Sequence, residues 1–158
     1  WGSFVVPIFF FIMFVGGCAG STTCGIKIFR FQVLYAAARA QFQNLAQPHG
    51  VFIPYYNRNP IPDEVTNSVM SFFFVFGATF AVLAMLLAML GLDFLTSVSA
   101  AAAAIANVGP GLGPVVGPEG DYTSLPVAAK WLLSAGMLLG RLELFTVMVL
   151  FTRAFWRA

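Results

Sequence analysis

The apolar run at residues 94–106 is too short to cross a bilayer, and the residues after it forbid a longer helix. A span needs about 20 apolar residues, whereas a run of about 10–14 marks a re-entrant or buried segment. Asn107-Val108-Gly109-Pro110-Gly111 comes next. Proline has no N–H for a helix ladder, and glycine loses the most backbone freedom when held in one. Such backbone at membrane depth is tolerated only where protein buries it or where it lines a watery cavity. The chain must therefore fold around a short helix that enters a membrane and turns back.

Composition identifies that solvent. Hydrophobic residues make up 59% of the 158 positions and charged residues 9%, against about 25% charged in soluble domains. The chain reads as an all-α integral membrane protein. A net charge of +2 with no Lys/Arg-rich run offers a phosphate backbone no basic face. The lipid bilayer is thus an expected partner and nucleic acid is not. Cys18 and Cys24 form neither a CxxC pair nor a metal pattern with histidine, and are expected to be small buried packing residues. His49, between Pro48 and Gly50, has no acid or thiol cluster near it to support metal binding or general-base work. The chain opens at Trp1 with no initiating Met, basic segment or cleavage pattern, and reads as an internal piece of a longer polypeptide.

The order of segments repeats. Residues 4–15 are a second short apolar run, ending in Gly16-Gly17-Cys18-Ala19-Gly20-Ser21-Thr22-Thr23. Residues 26–45 have helical spacing, with Ile26, Phe29, Val33 and Ala37 on one stripe and Lys27, Arg30 and Arg39 carried along. Residues 47–62 hold four prolines and several polar residues, so they predict a water-exposed connector. Pro62-Asp63-Glu64 then starts a helix, with the acids at its positive end. Residues 65–90 are charge-free and long enough to span. After the short run and the glycine-rich break at 107–113, a polar loop at 114–125 leads to a last helix expected over 126–156, which carries Lys130, Arg141 and Glu143. The pattern is short helix, small-residue loop and long helix, then long helix, short helix, glycine loop and long helix. The first unit lacks only an opening helix. This divides the chain into a first pore unit over 1–45, a connector over 46–64 and a complete unit over 65–158.

Charge orients the repeat. Residues 93–124 contain Asp93, Glu119 and Asp121 and no Lys or Arg, whereas the opposite side receives Arg58, Arg153 and Arg157. Lys and Arg accumulate on the cytoplasmic side, so both small-residue loops are expected to face outward and the connector inward.

An ion that crosses an apolar layer must exchange its water for oxygen ligands, and potassium filters supply backbone carbonyls from a Thr-Val-Gly-Tyr-Gly type loop. Asn107-Val108-Gly109-Pro110-Gly111 carries the same Val-Gly-x-Gly core. Cys18-Ala19-Gly20-Ser21 holds the equivalent place in the first unit, with one glycine aligned. A charged side chain inside lipid costs roughly 2.5–3.5 kcal/mol, so Arg141 is expected to face a cavity or a partner. It acts either as a cationic barrier or gate latch on the ion path, or as half of a structural ion pair. Glu143, two residues on, points to a different face. Lys27 and Arg30 read equally as holders of the loop and as ion-handling charges, Lys130 as an interfacial charge, and Phe72-Phe73-Phe74 as lipid-facing packing.

These motifs resemble a known family. Gly16-Gly17-Cys18-Ala19-Gly20-Ser21-Thr22, followed by Gly25-Ile26-Lys27 and Arg30, resembles the third pore loop of the Trk/Ktr/HKT potassium-transporter superfamily. Asn107-Val108-Gly109-Pro110-Gly111-Leu112-Gly113 resembles the fourth. Gly140-Arg141-Leu142-Glu143-Leu144-Phe145-Thr146 and the ending Leu150-Phe151-Thr152-Arg153-Ala154-Phe155-Trp156-Arg157 are similar to the bacterial TrkH/TrkG branch. The resemblance implies four helix–pore-loop–helix repeats around one pore, of which this chain supplies the third, without its first helix, and the fourth. It implies filter glycines at Gly20 and Gly109 and potassium held by the carbonyls of Ala19, Gly20, Val108 and Gly109. It further implies a gating break in the third repeat's second helix, at residues 35–43 around Ala36, Ala37 and Ala38, with Arg141 beside it.

The function so implied is potassium uptake across a bacterial inner membrane by a multi-pass protein, which is not an enzyme and needs no cofactor, potassium being the cargo. A cytosolic nucleotide-binding regulatory subunit and a second copy of the chain are the implied partners. Potassium and sodium both remain open as the cation, as do passive permeation and symport. The electrical field alone supplies about 2.3 kcal/mol per charge per 100 mV. One rival reading is a broken-helix coupled transporter, which calls for carboxylate or hydroxyl ligands at the breaks. Another is a non-conducting scaffold, which gives no reason for two small-residue breaks at bilayer depth. Two of four repeats would not close a pore unaided.

Overall fold

A computed structural model describes residues 4–142. The expected extension of the last helix, with Glu143, Arg153 and Arg157, lies outside the described residues. Five α-helices follow one another: α1 Val5–Phe14, α2 Ile28–Ala46, α3 Asp63–Met89, α4 Phe94–Ala106 and α5 Val127–Arg141. The short run at 94–106 is thus a helix with the expected bounds. Its 13 residues reach about 20 Å, against about 40 Å for the 27 residues of α3. Among the described residues, α3 alone is long and apolar enough to cross a membrane, while α1 and α4 are shorter apolar helices.

Helix α4 is the hub and packs against α1, α3 and α5. Its alanines 100–104 have no exposed surface and Ile105 has none either. In lipid, apolar surface gains little by leaving one oily neighbour for another, so helices associate through close packing, which small residues permit. Helix α5 answers with its own small residues. A Cβ on Gly136 would lie 2.7 Å from Leu83 Cδ2, and one on Gly140 would overlap the Ile105 carbonyl. Gly136 and Gly140 form a G-x-x-x-G step that brings the α5 backbone against α4. Around this seam lie Phe72, Phe76, Leu83 and Leu87 of α3, together with Ala129 and Leu133 of α5.

Both ends of α4 are capped. Asp93 accepts a hydrogen bond from the Thr96 N–H at 3.1 Å, and Asn107 ends the helix in the left-handed conformation, φ 51°. The N–H of Val108 then reaches the Ala103 carbonyl at 3.0 Å, a Schellman closure with asparagine in the usual glycine place. Asp93→Ala in the full-length protein should remove the cap and lower the melting temperature.

At the periphery one expectation gains detail and one is corrected. The connector contains a small antiparallel hairpin, β1 Tyr55–Tyr56 and β2 Asn59–Pro60. Asn57 and Arg58 turn it with φ of 48° and 67°, the two positive values a tight hairpin turn requires. Phe72 does not face lipid. It is buried, and the Arg30 guanidinium lies 3.6 Å from its ring centroid, a cation–π contact. Phe73 is half-buried against Phe31, whereas Phe74 points outward as expected.

Candidate functional site

The second glycine loop leaves α4 and exposes Asn107, Val108, Gly109 and Pro110. Gly109 has φ +109°, a conformation side chains oppose, although no atom lies within 4 Å of where its Cβ would be. The need for glycine there is conformational rather than spatial. Four tethers fix the loop. The Asn107 side-chain amide donates to the Met137 carbonyl of α5 at 3.0 Å. The Tyr122 hydroxyl donates to the Gly109 carbonyl at 2.7 Å. The Gly111 N–H donates to the Val116 carbonyl at 2.6 Å. The Ser99 hydroxyl donates to the Leu112 carbonyl at 3.1 Å.

The first loop follows α1 and is closed at its neck. The Gly16 N–H donates to the Ile26 carbonyl and the Ile26 N–H to the Phe14 carbonyl, both at 2.9 Å, forming a parallel bridge between Val15 and Ile26. The tip carries Cys18, Ala19 and Gly20 exposed and Ser21 half-buried, with the Ser21 N–H on the Cys18 carbonyl at 3.0 Å. Gly20 is not among the glycines with positive φ. In this loop that place belongs to Gly25, φ +83°.

Helix α5 joins the two loops. Arg141 donates to the Thr22 carbonyl at 3.1 Å and to Cys24 Sγ at 3.4 Å. Met137, one turn earlier, receives Asn107 of the second loop. Beside Arg141 lies a cavity of about 100 Å³, reached by Thr23, Lys27 and Arg30 as well. The cysteines therefore depart from the packing role expected of them. Cys18 is exposed at the loop tip, and Cys24 is a half-buried acceptor for a guanidinium.

Each short helix directs its C-terminal end at a small-residue loop. The last carbonyls of a helix carry roughly half a negative charge, which favours a cation there. Neither loop contains an acid, and among the described residues no three His, Cys, Asp or Glu gather as metal ligands do. Backbone and hydroxyl oxygens are what the loops present.

The expected break at Ala36, Ala37 and Ala38 is absent. Helix α2 runs unbroken from Ile28 to Ala46, because it contains neither glycine nor proline and alanine is the strongest helix former. Ala36 and Arg39 face a wide open cavity of about 830 Å³ between α2 and the hairpin. Lys27 stands at the start of α2, with Arg30 in its first turn. Three features escaped the sequence reading: the Gly136–Gly140 step, the Tyr122 contact and the Cys24 contact. The first was legible as G-x-x-x-G. The other two join residues that no local pattern links.

Among known proteins, the Trk system potassium uptake protein TrkI of Halomonas elongata is 54% identical over 157 residues, covering 99% of this chain and 32% of that protein. The Trk system potassium uptake protein TrkH of Escherichia coli K12 is 35% identical over the same share. The crystal structure of the potassium transporter TrkH from Vibrio parahaemolyticus superimposes with a TM-score of 0.88 at 34% identity, over 99% of this chain and 33% of that one. The chain thus spans about a third of the length of the relatives it matches. Its helices, its two short apolar helices with their small-residue loops and its match over residues 1–157 agree, and the chain belongs to the TrkH family of cation transport proteins.

Proposed function

We propose that this chain supplies half the lining of a potassium uptake pore in a bacterial inner membrane, with both loops on the outer side. The observation that carries the reading is the pairing of two short helices. Each ends in an exposed, acid-free loop of small residues, and both loops are held by α5. The filter comprises Cys18, Ala19, Gly20 and Ser21 with Asn107, Val108, Gly109 and Pro110. Carbonyls of Ala19, Gly20, Val108 and Gly109 replace the water of the ion, and the absence of acids in the loops favours this over a carboxylate-lined carrier site. Arg141 is the cationic element of the gate. The inward side, with the connector hairpin, receives a cytosolic nucleotide-binding regulatory subunit, and two copies associate. Potassium itself is the cargo, and no resident cofactor is required.

The test is rubidium and sodium flux through the full-length protein, wild type against Gly109→Ser. A side chain at this φ costs on the order of 1–2 kcal/mol, about a factor of ten. The rubidium-to-sodium ratio should fall by about that factor. An unchanged ratio and rate would remove residues 107–110 from the filter.

A further inference from the structure

The carbonyl of Gly109 belongs to the peptide joining it to Pro110, so that plane has an acceptor and no N–H. Glycine leaves its rotation unhindered on one side, and no atom stands within 4 Å of the Gly109 Cβ position to block it. Among the described residues, the Tyr122 hydroxyl, at 2.7 Å, is the hydrogen-bond donor on that oxygen. The tyrosine is itself held. It opens a 3₁₀ turn, Tyr122–Ser124. Asp121 accepts from the Thr123 N–H at 3.2 Å, and Lys130 Nζ donates to the Thr123 carbonyl at 2.9 Å. The Tyr122 ring packs against the main core cluster. The hydroxyl therefore reaches the loop from a turn anchored at three points.

From this geometry we infer that Tyr122 is a positioning residue for the ion filter, setting the orientation of the Gly109 carbonyl through its hydroxyl and so the discrimination between cations. The inference rests on the filter reading above. A carbonyl oxygen has two lone pairs. The phenol occupies one and leaves the other for a cation, at a fixed angle and with weakened donor strength. Without the hydroxyl the carbonyl is restrained only on its Pro110 side, and its wider swing about the Gly109 bond accommodates cations of different size. Burial pushes the Tyr122 hydroxyl above its ordinary titration range, so it keeps its proton at physiological pH. The clamp is lost only as pH rises through that elevated value.

Tyr122→Phe keeps the ring and deletes the donor. In the full-length protein it should lower the rubidium-to-sodium flux ratio about threefold to tenfold, the size of one hydrogen bond. The ratio is a property of each pore and does not depend on how much protein survives. Lys130→Met, which loosens the turn without touching the ring, should shift the ratio in the same direction by less. A ratio unchanged in Tyr122→Phe, while Gly109→Ser still alters it, overturns the role of Tyr122 and leaves the filter standing. A ratio unchanged in both overturns the filter assignment itself.

Discussion

Gly140→Ala in the full-length protein should leave little folded transporter, although it adds a single methyl group. The added carbon would overlap the Ile105 carbonyl, and the Asn107 amide nitrogen lies only 3.0 Å from the same position. The nearer of the two is backbone, which cannot swing aside as a side-chain end could. The Ile105 carbonyl is backbone in the fully buried stretch from Ala100 to Ile105, and the Asn107 amide is committed to Met137. Helix α5 would have to move off α4, losing contacts along the seam and the Asn107 tether. Overpacking of a core costs about 1–3 kcal/mol, and a severed hydrogen bond adds about 1 kcal/mol. That total approaches a large part of the stability of an ordinary domain. The companion variant is Gly77→Ala in α3, where nothing stands within 4 Å of the added carbon. It should be neutral or more stable, by up to about 1 kcal/mol from helix propensity. Thermal melting and monodispersity in detergent distinguish the two. Equal behaviour would mean that α4 and α5 do not meet as closely as described.

The second large effect concerns Arg141. If its charge stands beside the ion path, its removal takes away a barrier. At an effective dielectric of about 20, a unit charge roughly 10 Å from a passing cation raises its energy by about 1.7 kcal/mol, more than tenfold in rate. Arg141→Ala should therefore raise rubidium flux about tenfold. Arg141→Lys keeps the charge but loses the planar fork that reaches Thr22 and Cys24 together. It should conduct near the wild-type rate, with a less stable first loop. If alanine leaves the flux unchanged and lowers only the melting temperature, Arg141 is a strut for the first loop and carries no part of the gate.

The sequence disclosed those parts of the fold that local chemistry decides. Helix α4 was legible to the residue because Asp93 starts it and Asn107 starts the break. Both are polar marks on a plain apolar run, and both serve as caps. Helix α1 was legible from its apolar run alone, since neither Phe4 nor Val15 at its ends supplies a side-chain cap. The contacts that shape the candidate site were not. Arg141 and Thr22 lie 119 positions apart, and Asn107 and Met137 lie 30 apart, so only packing brings them together. The hairpin was missed because its turn is Asn57-Arg58 rather than asparagine with glycine, and a positive φ at arginine has no local signature. The expected break in α2 came from the family resemblance. The residues themselves, alanines without glycine or proline, agree with the continuous helix. Phe72 was misplaced because a run of three phenylalanines conceals which one faces inward, and its partner Arg30 is on another helix.

Met137 and Arg141 stand one turn apart on α5, and each holds a different loop. One turn is about 5.4 Å, and the helix between them is continuous. The two loops are thus mounted on a common spindle. A roll of α5 about its own axis displaces the Asn107 anchor and the Thr22 anchor together and in fixed proportion. A displacement of that helix is therefore felt at both loops at once.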